Sequence, residues 1–292
     1  MLSTIPSDVL QAVSSLLPGV TKFENFIPAS GGCINSGGKL ITQSHHYFLK
    51  WNSREAFPDM FSLEAKGLNL LRETKSIYVP GVMGVAEGES NQFLLLEYVE
   101  QTPLTEDYWN NLGVQLAALH RHHNLVAGLD HNNYIGSLTQ TNTCDENWIT
   151  FFIEQRLLPL IDRAIKKGNA AASWMSDFDR VFAKLPNLLP NDEPSLLHGD
   201  LWRGNVITNS AGDPCVIDPA VYYGHREMDI AMTKLFGGFD QAFYASYAEA
   251  YPLIPGFDSR CDLYNLYPLL VHLNLFGPAY ENEIRAIVRR FS

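Results

Sequence analysis

The sequence predicts an α+β protein of two lobes, a small β-rich lobe followed by a larger, mainly helical one, and three observations carry the prediction. First, the spacing of apolar residues changes near residue 98, from short runs of strand length broken by Gly and Pro to stripes at helical period. Second, 292 residues that are 46% hydrophobic, with 16 Phe and 13 Tyr, hold enough apolar material for a two-lobed core, which excludes disorder as the main state. Third, one β-rich stretch, Leu196 to Asp218, interrupts the helical part with short apolar runs joined by polar turns. Loops of that kind on a scaffold are where chemistry usually sits. The expected lobes are residues 1–98 and 99–292.

Each element follows from local signals. Ser7 can cap a short helix running to Leu17, which Pro18-Gly19 ends. Lys39 to Lys50 contains two β-rich runs around a polar turn at Gln43 to His45, so a hairpin is expected whose second strand ends close to Lys50. Met60 to Leu71 sets Phe61, Glu64, Leu68 and Leu71 at helical spacing, which places the carboxylate of Glu64 on an apolar face. Val82 to Val85 and Gln92 to Val99 read as strands. Beyond residue 100, helices are expected over 106–123, 147–167 with an interruption at Pro159, 262–276 and 279–291.

Charge and cysteine usage narrow the function. The chain has 21 Lys and Arg against 32 Asp and Glu, a net charge of −11, the wrong sign for wrapping a phosphate backbone, so nucleic acid is not an expected partner. The imbalance is −2 in residues 1–98 and −9 in 99–292. Cys33, Cys144, Cys215 and Cys261 are too scattered for a CxxC pair or a disulfide framework, which points to a reducing cytoplasm. No apolar run approaches the roughly 18 residues that span a bilayer, and no targeting segment is read, so neither a membrane nor an export route is expected.

The strongest motif is His198-Gly199-Asp200-Leu201-Trp202-Arg203-Gly204-Asn205, followed by Ile217-Asp218-Pro219. Asp200 and Asn205 are five apart, and Asp218 follows Asp200 by eighteen. That is the spacing of a kinase catalytic loop, residues 198–205 here, and its metal-binding Asp. Phosphoryl transfer needs a carboxylate to orient and deprotonate the attacking hydroxyl, and hard oxygen ligands to hold Mg²⁺ against nucleotide phosphates. Singly, Asp200 and Asn205 would read as turn formers; the spaced set does not. Lys50 and the buried-face Glu64 supply the second half of such a machine, a phosphate-gripping Lys held by a helix Glu. Upstream, Ser30 to Gly38 (SGGCINSGG) can bring backbone N–H groups to phosphates at Gly31, Gly32, Cys33 and Ile34, although it is neither GxGxxG nor a Walker motif. Glu97, Tyr98 and Val99 end the apolar strand where a kinase-like fold would hinge and present backbone groups to adenine. In Pro219 to Phe239, Asp229 is placed to brace the catalytic loop, while Tyr223, His225 and Glu227, with His198 and Trp202, are candidates for substrate contact; a plain helix start with acidic residues in its first turn is the bland alternative.

These residues resemble the fructosamine (ketosamine) kinases, relatives of aminoglycoside and choline phosphotransferases with a protein-kinase-like fold. The resemblance rests on SGGCINSGG, FLK, Glu64, LLHGDLWRGNV, IDPAVYYGHREMDIAMTKLFGGF and YNLYPLLVHLNLFG, and so spans nearly the whole chain. HGD and IDP are shared by many small-molecule kinases, whereas Trp202 and the YYGHREMDIA block are particular to the ketosamine group. The resemblance implies a bilobal fold with a five-stranded-type sheet and ATP-dependent phosphorylation of the sugar 3-hydroxyl of a ketosamine, either a small molecule or a glycated-protein lysine, in deglycation. It assigns Asp200 as proton acceptor, Asn205 and Asp218 as Mg²⁺ ligands, Lys50 with Glu64 as the phosphate clamp, and Glu97 to Val99 as the adenine-facing segment. Arg203 departs from the family's pattern, which often has a small residue there, and leaves acceptor preference open. Cys33 is similar to a Cys of family members; with no activator evident in the sequence it reads as an inert thiol, a redox role being the alternative. An aminoglycoside, choline or homoserine-type acceptor is the alternative, a catalytically silent binding module a further one, and either monomer or dimer is compatible.

Overall fold

The computed structural model describes residues 2–17, 19–20, 22–29 and 34–292. In chain order its elements are α1 (Ser7–Leu16), β1 (Phe23–Pro28), β2 (Ser36–Thr42), β3 (His46–Ser53), α2 (Met60–Glu73), β4 (Val82–Glu87), β5 (Asn91–Glu97) and α3 (Tyr108–Leu119). Next come β6 (Asn133–Ile135), β7 (Leu138–Gln140), α4 (Trp148–Phe151), a π-helical turn (Phe152–Leu157), α5 (Leu158–Lys166), α6 (Trp174–Phe182), α7 (Leu185–Leu188) and β8 (Ser195–Leu197). The chain closes with β9 (Val206–Thr208), β10 (Pro214–Val216), β11 (Tyr222–Gly224), α8 (Glu227–Leu235), α9 (Gln241–Ala250), α10 (Phe257–Phe276) and α11 (Glu281–Phe291). It divides into two compact units, Met1–Tyr108 with Ile207–Asp218, and Trp109–Val206 with Pro219–Ser292.

The first unit is an antiparallel five-stranded sheet in the order β1-β2-β3-β5-β4. Strand periodicity sorts β3 into two faces. Tyr47, Leu49 and Trp51 join Val9 and Val13 of α1 in one core cluster. Phe48, Lys50 and Asn52 therefore face the other way, and the Asn52 amide reaches Met60 at the start of α2. Lys50 lies inside β3, three residues short of its end at Ser53, rather than at the strand terminus expected from the sequence. The unit also takes in ten residues past position 98 and the segment 207–218, which the sequence-based division assigned to the helical lobe. Hydrogen bonds across the unit account for this: the Val216 N–H donates to Tyr78 O at 3.0 Å, the Tyr108 hydroxyl to Ile207 O at 3.1 Å, and the Thr102 hydroxyl to Asn209 O at 2.8 Å.

The second unit is built around α10, a 20-residue helix with buried residues on nearly every side, against which α5, α8 and α11 pack. Such all-round burial is the mark of a central helix. Pro159 does not break the helix expected over 147–167. Instead α4 runs through the π-helical turn into α5, with Pro159 in the first turn of α5 where a missing N–H is tolerated. Among the described residues no helix is long and apolar enough to cross a membrane.

Candidate active site

In the first unit a buried cation stands between two carboxylates. Lys50 Nζ donates to Glu64 Oε1 at 2.8 Å and to Asp218 Oδ1 at 2.9 Å. The apolar stripe of α2 buries Phe61, Ala65 and Leu68, and Glu64 shares that stripe by helical spacing. Burial works against the Lys50 charge, but the carboxylates of Asp218 and Glu64 outweigh it and hold the ammonium above its ordinary pKa. For Glu64, burial raises the carboxyl, the Lys50 charge lowers it, and the Asp218 charge raises it again, leaving the group above the usual carboxylate range. Opposite Lys50 in the ladder is Gly37, whose bare backbone leaves room for the lysine stem; a Cβ there would fall 3.1 Å from Leu49 O. Asp218 adopts a left-handed backbone with φ 54°, a conformation Asp tolerates better than most residues and one that clusters at functional sites.

In the second unit the loop after β8 carries Asp200. Asn205 Nδ2 donates at 2.9 Å both to Asp200 O and to Asp200 Oδ2, so the amide closes the loop and fixes the carboxylate. The loop is pinned from behind by Asp229, whose Oδ2 accepts from the His198 N–H at 2.7 Å and whose Oδ1 accepts from the Gly199 N–H at 2.9 Å. His120 Nε2 donates to the same carboxylate at 3.2 Å, and its Nδ1 accepts from the Tyr247 hydroxyl at 2.8 Å. Burial would raise the Asp229 pKa, but hydrogen bonding and charge from His120, with the backbone N–H of Gly199, keep it lowered. Asp229 is thus a brace, held ionised inside the protein.

A carboxylate oriented by an amide can accept a proton from a hydroxyl, and a lysine flanked by carboxylates offers positive charge to phosphate oxygens. Each unit also offers an oxygen of the type a hard divalent cation takes. Asn205 spends its nitrogen on Asp200, which turns its amide oxygen away from that bond, and Asp218 gives only Oδ1 to Lys50. Each is an oxygen donor of the hard kind that Mg²⁺ takes from a protein, one or two such ligands being usual beside waters and substrate phosphates. Among the described residues no group of three His, Cys, Asp or Glu forms a dedicated metal cage.

The remaining sequence-predicted residues fall into three sets. Gly31, Gly32 and Cys33 lie outside the described residues; Ile34 is half-buried, and Gly37 and Gly38 belong to β2 rather than to a loop. Glu97 ends β5, with its carboxylate taken by the Tyr78 hydroxyl at 2.6 Å and the Gly81 N–H at 3.0 Å, so only its backbone is left for a ligand. Lys39 Nζ lies 4.1 Å from the Tyr98 ring centroid, and the Val99 N–H has no hydrogen-bond partner among the described residues. Of the substrate candidates, Trp202 is 39% exposed, its ring covering Gly204, and Tyr223 is half-buried. His198, His225 and Glu227 are buried. Glu227 is fully taken by Arg260, Nε to Oε2 at 2.7 Å and Nη2 to Oε1 at 2.6 Å, and the His225 ring stacks on Tyr264 at 5.6 Å. Sequence reasoning did not find the roles of Arg260, His120 and Tyr247, because their partners are 33, 109 and 127 residues away.

His225 and His120 make the second unit acid-sensitive. Burial, with the charge of Arg226 next, pushes His225 down to about 3, and burial lowers His120 despite Asp229. Asp192 Oδ2 stands 4.0 Å from His225 Nε2, beyond hydrogen-bond reach. A depressed folded-state pKa means the unfolded chain binds the proton first as pH falls. Stability is therefore full above about 6.5 and declines below it, by about 1.4 kcal/mol per pH unit for His225 down to its folded-state value near 3, with His120 adding in the same direction. Urea unfolding at pH 7.5 and 5.0 should show a clear loss at the lower pH, reduced in His225→Gln. Equal stability at the two pH values would contradict the neutral, buried assignment.

Comparison with known proteins places this geometry in a family. The Fructosamine kinase family model matches residues 7–291. A probable ketoamine kinase of Vibrio parahaemolyticus is 42% identical over 287 residues, covering 96% of this chain and 98% of its own. A rice chloroplastic protein-ribulosamine 3-kinase is 37% identical over 279 residues, covering 92% of this chain and 79% of its own. A solved Haemophilus somnus structure assigned as a fructosamine-3-kinase superposes with a TM-score of 0.89 at 28% identity, over 97% of this chain and 96% of that one. The fold is the protein-kinase-like α+β one. With the match running from the first helix to the last and both charged clusters in place, the chain belongs to the fructosamine kinase family.

Proposed function

We propose that the protein is an ATP-dependent kinase that phosphorylates the sugar 3-hydroxyl of ketosamines. The observation that carries this reading is the pair of clusters, Asp200 with Asn205 and Lys50 with Glu64 and Asp218, on a chain that the fructosamine kinase family model matches from residue 7 to 291. Asp200 accepts the proton of the attacking hydroxyl, oriented by the Asn205 amide. Lys50, pre-set by Glu64, grips phosphate oxygens, and the backbone of Glu97 to Val99 takes the adenine. The Asn205 amide oxygen and the Asp218 carboxylate are the residues that would hold Mg²⁺, which when bound would neutralise charge at the phosphates. Trp202 offers an aromatic face to the acceptor beside the loop, and an acidic chain of net charge −11 suits an acceptor bearing an amine.

The relatives' names include both a ketoamine kinase and a protein-ribulosamine kinase, which supports small ketosamines and glycated lysine side chains alike as acceptors. The unpaired Cys144, Cys215 and Cys261 support a reducing, cytoplasmic setting. The test is an acceptor panel followed by ADP release: fructosyl- and ribulosyl-lysine, free and on a glycated protein, beside an aminoglycoside, choline and homoserine. Turnover of the ketosamines above the other alcohols is expected. Indifference to ketosamines with turnover of another alcohol would transfer the chain to that acceptor class, and no turnover at all would point to a silent binding module.

A further inference from the structure

We propose that Arg156 is a positioning residue for phosphoryl transfer: its buried guanidinium locks the backbone at Ala220 and Val221, on which the Gly199–Asp200 peptide is seated. The proposal rests on the reading of Asp200 as proton acceptor. Arg156 sits in the π-helical turn and is 0% exposed, and among the described residues no carboxylate lies within ion-pair distance of it. A buried charge without a counter-ion is expensive and would be cheaper replaced by an apolar side chain of similar size, so its presence calls for a use. Pro159 creates part of its setting. Having no N–H, Pro159 cannot bond the Gln155 carbonyl one turn back, and that carbonyl accepts instead from Arg156 Nη1 at 3.2 Å and the Thr141 hydroxyl at 3.4 Å. π-Helical turns of this kind are common at functional sites.

From there a chain of bonds runs to the catalytic loop. Arg156 Nη1 donates to Thr141 O at 2.5 Å and Nη2 to Asn142 Oδ1 at 2.7 Å, while the guanidinium lies 3.9 Å from the Tyr222 ring centroid. Asn142 Nδ2 then donates to Asn133 Oδ1 at 2.9 Å, and Asn133 Nδ2 to Val221 O at 2.8 Å. Gln140 Nε2 donates to Asn133 Oδ1 at 2.7 Å and to Ala220 O at 3.1 Å. The Ala220 N–H donates to His198 O at 2.9 Å, and Gly199, at φ +82°, is so close that a Cβ there would fall 2.0 Å from Ala220 O. Any shift of Ala220 therefore moves Gly199 and, with it, Asp200. Asp229 holds the loop through its N–H groups; the Arg156 network holds the surface beneath it. Buried polar networks of this kind favour one geometry, with only the Arg156 Nε of this one lacking a partner among the described residues, and small misplacements at a reacting group are costly.

The test is Arg156→Lys, which keeps the charge but loses the planar fork. In protein whose near-ultraviolet circular dichroism matches wild type, kcat should fall on the order of 10- to 100-fold while KM for ATP and for a ketosamine stays within about twofold. A kcat within twofold of wild type, or KM values that move with kcat, overturns the proposal. If Arg156→Lys does not fold, Gln140→Met, which removes the amide bonded to Ala220, should give the same split of kcat from KM, and an unchanged kcat overturns it. In the Asp200→Asn background Arg156→Lys should have no further effect. Persistence of the full loss there would overturn the proposal while leaving Asp200 as the acceptor, whereas wild-type turnover in Asp200→Asn alone would defeat the Asp200 reading instead.

Discussion

Asp200→Asn should lower kcat on the order of 100- to 10,000-fold, the range for removal of a positioned general base, with ATP affinity unchanged. The substitution is isosteric and leaves the loop in place, because His198 and Gly199 are pinned to Asp229 through backbone N–H groups rather than through Asp200. The Asn205 amide can still donate to an amide oxygen at the position of Asp200 Oδ2, so the side chain keeps its direction. What is lost is the capacity to take a proton. Nothing in the Lys50 cluster changes, which is why binding and turnover should separate. ADP release under saturating ATP and ketosamine gives kcat, and calorimetric titration with ATP gives the affinity. A variant that turns over within threefold of wild type would remove Asp200 from its assigned role.

The separation of roles shows why some of this site was legible in the sequence and some was not. Asp200, Asn205 and Asp218 lie in one stretch at fixed spacing, and chemistry confined to a loop leaves a linear trace. Glu64 was legible because a carboxylate on an apolar helical face needs a partner, and Lys50 is that partner at 2.8 Å. Lys50 itself was set too near a strand end, since the run of strand-forming residues does not mark where pairing with β5 stops; the ladder continues to Ser53 opposite Asn91. Ser36 to Gly38 looked like loop because of its glycines, yet those glycines are where β2 passes close to its neighbours: a Cβ at Gly38 would fall 2.3 Å from Ile27 O. Of the bracing layer only Asp229 was legible, from its place after the Asp218 motif; its partners were not. Arg260 with Glu227, His120 with Asp229 and Arg156 with Asn142 are long-range pairings, and each residue alone reads as ordinary surface charge or helix-end polarity.

Lys50→Met should reduce kcat/KM by about 100- to 1,000-fold, the scale for loss of a preorganised charge contact, and should destabilise the first unit in a pH-dependent way. Removing the ammonium leaves Glu64 buried with no counter-charge and with the Asp218 carboxylate still nearby. Breaking a buried pair from one side costs about 3–5 kcal/mol when the remaining group stays charged. Glu64 has an escape, since its carboxyl is already raised by burial, and taking up a proton removes the penalty. The sign follows. A raised folded-state pKa favours the folded chain at acid pH and loses that advantage as pH rises above the unfolded value near 4.5, so the gap between variant and wild type should be wide at pH 8 and narrow at pH 5. Lys50 does not confuse the comparison. Its own pKa is raised, so its contribution is fully present below about 10.5 and is lost only as pH rises further, leaving it constant across this window. Urea midpoints for both proteins at the two pH values measure the gap. If it is the same at pH 5 and pH 8, Glu64 does not titrate and Lys50 is not its counter-charge. If it narrows while kcat/KM stays at the wild-type level, the ion pair is structural and the phosphate grip must be sought in another residue.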